Sequence, residues 1–147
     1  MIVRESISFQ RGVDPKDALG IGKRYLIEQW LDKMGILNKC IINADLTINS
    51  NSNIKISHKD LVKFPEYIQF NKANAFFSVQ NNNLISLRGC PIYVKMMFSC
   101  SNNNLTSLEG CPKSAGAFYC HSNPRLFIKE DILKLCKVPL KEIHIKL

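Results

Sequence analysis

The chain has 147 residues, the size of one domain, with 46% hydrophobic and 22% charged side chains and a formal net charge of +8. There is enough apolar material for a core, and too little charge, Gly or Pro for a disordered or collagen-like chain. Apolar runs such as Ile41-Ile42 and Ala75-Phe76-Phe77 are too short to cross a membrane. Residues 1–6 meet an acid where a signal peptide needs an apolar core, so a cytoplasmic protein without membrane association is expected.

In chain order, the first predicted element is a helix over residues 14–35. Leu26, Ile27, Trp30, Leu31 and Met34 recur at helical spacing on one face, and Gly35 suits a C-terminal stop. Within this segment Gly20-Ile21-Gly22-Lys23-Arg24 invites a phosphate-loop interpretation. Asp17 and Arg24 stand where such a loop needs Gly and Ser/Thr, so a plain loop or helix entry is expected. Residues 40–48 and 53–57 look like strands flanking an Asn/Ser-rich turn and together suggest a hairpin.

The middle of the chain repeats itself. Asn81-Asn82-Asn83-Leu84-Ile85-Ser86-Leu87-Arg88-Gly89-Cys90-Pro91 returns 21 residues later as Asn102-Asn103-Asn104-Leu105-Thr106-Ser107-Leu108-Glu109-Gly110-Cys111-Pro112. A third copy starts at Phe118-Tyr119-Cys120-His121-Ser122-Asn123 and degenerates after Pro124, placing Leu126 one residue late. A cruder copy, Ile54, Ile56, Lys59, Leu61, Phe64, comes first, with Lys59 where Asn belongs. The unit, apolar-x-apolar-x-x-Asn-x-Leu-x-x-Leu, has the leucine-rich-repeat pattern. Its alternating residues make a short strand with one buried face. The Asn turns the chain and bonds the free backbone groups of neighbouring coils, while Leu84/Leu105 and Leu87/Leu108 point inward. Gly-Cys-Pro then ends the segment with a bend. Strands near 54–56, 77–79, 98–100, 118–120 and 143–145 are therefore expected side by side, followed or interrupted at the end by an amphipathic helix over residues 128–138. That helix would bury Ile128, Ile132, Leu133, Leu135 and Cys136, and Pro139 would end it.

The expected fold is α/β: a small leucine-rich-repeat-like solenoid with one curved, mostly parallel sheet. It forms a single domain over 1–147, with an N-terminal helix and strand cap (1–53), repeats (54–126) and a C-terminal helix-strand cap (127–147). The repeated Asn-Asn-x-Leu-Thr-Ser-Leu-x-Gly-Cys-Pro block resembles short leucine-rich-repeat-like proteins encoded by bacteriophages and prophages. Residues 9–22 are similar to an opening segment of such viral proteins, so the likeness spans residues 9–126. It implies a repeat fold and a viral origin, and assigns no catalytic residue. Lys59, the slip around Pro124, and Val79 where the next unit has Cys100 depart from the pattern.

No catalytic constellation assembles from the sequence, and a non-enzyme without cofactor or metal is expected. The six cysteines lack an export context for disulfides, and none is closer than nine residues to the next, unlike zinc ligands; buried thiols explain them better. Cys120 and His121 are strand neighbours and point to opposite faces. His121 and His144 both fall on outward positions; solvated surface histidines are expected there, with a meeting on neighbouring coils as the sharper alternative. Glu109 is the only acid between Tyr67 and Lys129, which leaves no carboxylate pair.

Solenoids bind through their stacked strand face. Gln80, Asn81, Ser101, Asn102, Tyr119, His121 and His144 alternate with the buried residues and form the candidate protein-binding face, suited to hydrogen bonding with a host protein, such as a host or defence enzyme. A merely solvated Ser/Asn ladder is the plainer alternative. A second candidate is nucleic-acid association through a basic patch at Lys134, Lys137 and Lys141. Residues 67–147 carry ten Lys/Arg against four acids.

Overall fold

The computed structural model describes residues 15–146, with side chains from residue 21 onward. Residues 9–14 of the opening segment likened to viral proteins, including Asp14 of the expected helix, lie outside the described residues.

Helix α1 (Pro15–Lys33) starts on a proline, whose missing N–H costs nothing in a first helical turn. It ends at Gly35, whose φ of 76° closes the helix: Gly35 N–H donates to Asp32 O and Ile36 N–H to Leu31 O. The Gly20–Arg24 stretch lies inside this helix and forms no loop. Ile27, Trp30, Leu31 and Met34 are buried against the first coils, but Leu26 is 46% exposed. The helix covers one end of the solenoid with a narrow stripe, and Leu26 falls at its rim.

Strand β1 (Cys40–Ile42) pairs antiparallel with β2 (Ile48–Ser50), so the hairpin closes within residues 40–50 and does not reach 53–57. Everything after it is parallel. The strands β3 (Ile54–Lys55), β4 (Phe70–Ala73), β5 (Phe77–Ser78), β6 (Tyr93–Ser99), β7 (Ser114–Tyr119) and β8 (Ile143–His144) join β1 and β2 in one eight-stranded sheet. One ladder matches the repeat: Ile54 pairs with Phe77, Phe77 with Phe98, Phe98 with Phe118 and Phe118 with Ile143. A second ladder lies outside the Asn/Leu unit: Ile48–Phe70, Ala73–Val94, Val94–Ala115 and Ser114–Lys137. Each coil therefore carries two strand segments, which fuse in β6 and β7 across a bulge between Val94 and Met97. The architecture is a β-solenoid of about five turns, mixed α/β, with an N-terminal helix and a short C-terminal one.

Asparagines at the third corner position tie the coils together. Asn103 Oδ1 accepts from Leu84 N–H of the preceding coil at 3.0 Å, while its Nδ2 donates to Val79 O and Cys100 O, each at 3.1 Å. Asn82 does the same for Lys59 N–H and Ile56 O, and Asn123 for Leu105 N–H and Cys100 O. Every one serves the coil before its own. Lys59 occupies this position in the first coil, which has no coil before it, so an Asn there would have nothing to join.

Inside, Leu84, Leu87, Leu105 and Leu108 are buried as expected, and phenylalanine rings pack at an angle: Phe98 and Phe118 along the ladder with centroids 5.2 Å apart, and Phe70 edge-on to Phe77 across the two strand segments of one coil at 4.8 Å. The bend after each Leu pair needs glycine. At Gly110 φ is 92°, and a Cβ would meet the backbone of Leu87 and Arg88 at 2.7 Å.

The last coil departs from expectation. Leu126 is 68% exposed, and Phe127 is buried in its place. In the earlier coils the residue after the Asn donates backward, Asn83 N–H to Leu61 O and Asn104 N–H to Leu84 O. Pro124 has no N–H to give, so the return path loses that tether and slips. The C-terminal helix α2 (Lys129–Leu133) has only five residues, with Ile128, Leu133 and Leu135 exposed. Residues beyond it extend instead, because Lys137 O accepts from Ala115 N–H and Lys137 N–H donates to Lys113 O. The open ladder of β7 outcompetes helical propensity.

Candidate binding face

The sheet face opposite the core is narrower than alternation suggests. Ser101 is fully buried, and Ser78 and Ser99 nearly so. Their short side chains lie below their neighbours. Ser78 Oγ accepts from Gln80 N–H at 3.4 Å, and Ser99 Oγ donates to Gln80 Oε1 at 3.3 Å. Ser101 Oγ has no hydrogen-bond partner among the described residues and is not available as a contact on an open face. Asn81 and Asn102 are corner residues rather than strand residues, with φ of 61° and 55°. Asn tolerates this left-handed conformation better than most side chains. Asn102 is exposed and Asn81 half-buried.

Gln80, Tyr119, His121 and His144 remain half-buried on the face. The parallel register brings Tyr119 beside His144, and their rings stack at 4.1 Å with only 9° between planes. His144 therefore does not meet His121, whose Nδ1 lies 3.1 Å from Ser122 Oγ instead. Glu142 Oε1 lies 3.6 Å from His144 Nε2, too long for a hydrogen bond but close enough for ionic attraction when the ring is protonated. Repeat spacing could not reveal this stack, because its two rings belong to the irregular last coil and the one before. The result is a flat two-ring platform on a rigid sheet, flanked by amide and imidazole groups.

Cys120 faces the core, back to back with His121. Burial pushes its thiol up to about 12 and that of Cys111 to about 12 as well, so neither is a nucleophile at neutral pH. All six cysteines are free thiols. Among the described residues no three His, Cys, Asp or Glu side chains converge as metal ligands would, and no helix is long and apolar enough to cross a membrane.

Lys134, Lys137 and Lys141 are all exposed, on the last turn after α2, the extended bridge and the final 3-10 turn respectively. Nearby, Arg125 is engaged: it pairs with Asp131 at 3.2 Å and lies over the Phe127 ring. No protein-family model, curated protein sequence or solved structure matches the chain.

Proposed function

We propose that this solenoid is a non-enzymatic protein-binding module that docks through its sheet face. The observation that carries the proposal is the Tyr119–His144 stack, an aromatic platform held by a continuous parallel ladder and only half covered. Rigid amphipathic rings give large contact area at small entropic cost, and hot spots at protein interfaces are rich in them. Gln80 and His121 beside it supply polar contacts that fix orientation. The leucine-rich-repeat-like units resemble those of bacteriophage and prophage proteins, which favours a viral origin and a host protein in the bacterial cytoplasm, such as a defence enzyme, as partner.

The test is copurification of the tagged protein from a bacterial host, followed by titration of the recovered partner. Tyr119→Ala is expected to weaken binding by about 1–2 kcal/mol. Replacing Lys134, Lys137 and Lys141 together should matter less, and salt dependence should be mild. Binding that ignores Tyr119 and collapses between low and moderate salt would replace this proposal with nucleic-acid association through the basic residues, because phosphate contacts are lost steeply with added salt.

A further inference from the structure

The two ends of the solenoid are finished differently. Helix α1 lays Ile27, Trp30, Leu31 and Met34 over the first coils. At the other end, the last coil packs inward through Ile132, Cys136, Val138 and Ile143 but leaves Leu126, Ile128, Leu133, Leu135 and Leu140 between 45% and 68% exposed. Terminal coils of soluble solenoids ordinarily present a polar outer face. This one presents aliphatic side chains.

The backbone at that end is also open. In each coil an inward residue donates its N–H to the next: Ile56 to Ser78 O, Val79 to Ser99 O, Cys100 to Tyr119 O and Cys120 to His144 O. Ile145 follows Cys120 in this series, and its N–H has no partner among the described residues. Strand β8 pairs only with β7. An unpaired edge of this kind is a template for an incoming strand.

The geometry points to this end as a docking site for an extended, acidic segment of a partner protein, added parallel to β8 as the next rung of the ladder. Charge selects the occupant. Lys134, Lys137 and Lys141 are exposed among the leucines, and none of them is ion-paired among the described residues. A second copy of this chain, at +8, is repelled. A nucleic-acid strand has no peptide ladder with which to extend the edge of β8. A lipid surface would leave the Ile145 N–H without a partner. An acidic strand with alternating apolar side chains satisfies all three features at once: the edge, the leucines and the lysines. This site adjoins the Tyr119–His144 platform, because His144 lies on β8 itself, but it uses the backbone edge and end of the last coil rather than the sheet face.

The experiment titrates a fluorescein-labelled Val-Glu alternating decapeptide, with a Val-Lys decapeptide as control, and reads anisotropy. The Val-Glu peptide is expected to bind saturably and at least about tenfold more tightly than Val-Lys. Ile145→Pro removes the edge donor and should weaken binding about tenfold or more, with the lost packing of Ile145 against the core read separately as a drop in melting temperature. Should that variant fail to fold, Leu135→Ser with Leu140→Ser, both at exposed positions, is expected to cause a comparable loss. Lys63→Ala, at an exposed lysine of the first coil, should bind as the parent does, which confines the effect to the last coil. No saturable binding, equal binding of both peptides, parental affinity in both the Ile145→Pro and the double serine variant, a preference for duplex DNA or phosphatidylglycerol vesicles, or self-association in sedimentation would each overturn the proposal.

Discussion

Asn103 divides one amide between two coils, and removing it leaves partners on both sides. Asn103→Ala would strand Leu84 N–H and weaken the satisfaction of Val79 O and Cys100 O in a buried corner. A loss of about 3 kcal/mol is expected from urea unfolding, in the range for unsatisfied buried groups. Lys59→Asn should change stability by less than about 0.5 kcal/mol, because no earlier coil offers that residue a partner. If both substitutions had equal effects, the corner residue would be serving its own coil and not its neighbour. The thiols give a second residue-scale test. Burial raises Cys40 and Cys136 to about 11 and Cys111 and Cys120 to about 12, from an ordinary value of 9.0. Above pH 9 the unfolded chain loses thiol protons that the folded chain keeps, so folding stability is fully present below that pH and drains away as pH rises toward 12. The melting temperature should fall accordingly between pH 8 and pH 11, and Cys120→Ala should make the fall shallower. A flat profile would mean the thiols are not buried in solution.

At the scale of elements, the last coil shows where sequence patterns stop and backbone accounting takes over. Leu126 carries the repeat's residue type, yet Phe127 fills the core. Phe127→Ala is expected to cost about 3–4 kcal/mol, and Leu126→Ala less than about 0.5, by thermal or chemical unfolding. Comparable losses would restore Leu126 to the interior. Spacing showed the slip around Pro124 but not that Phe127 takes the interior position; the physical signal was Pro124, a residue without an N–H where the two earlier coils donate one. The short α2 has the same origin, since apolar residues at helical spacing lost to the unpaired edge of β7. The second ladder was not legible because Ala73, Val94 and Ala115, although they keep the 21-residue period, are small residues that carry little hydrophobic signal beside the Phe and Leu positions. By contrast, the strands beginning at Phe77, ending at Ser99 and Tyr119, and starting at Ile143 were visible in the sequence, because a buried phenylalanine or isoleucine at fixed phase marks each one.

For the molecule as a whole, the stacking was readable from the repeat and the candidate binding face only in part. Alternation correctly put Gln80, Tyr119, His121 and His144 on one side. It overstated the serines, because it knows which way a side chain points but not how far it reaches beyond longer neighbours. The stack between Tyr119 and His144 depends on the register of two coils whose spacing is irregular, 25 residues from Phe118 to Ile143 against 21 from Phe77 to Phe98.

The backward-reaching asparagines also make the molecule extensible. A segment from one ladder Asn to the residue before the next, such as residues 82–102, contains both a pair of strand segments and the connector that fastens it to whatever precedes it. Copied in tandem, it arrives with its own joint and asks nothing new of its neighbours. A chain with residues 82–102 duplicated after Asn102 should fold, melt at a higher temperature, and lengthen by about 4.8 Å, one strand spacing, in small-angle scattering. Growth by tandem duplication is thus written into the hydrogen bonding, and the near identity of the two central units is the trace such an event would leave.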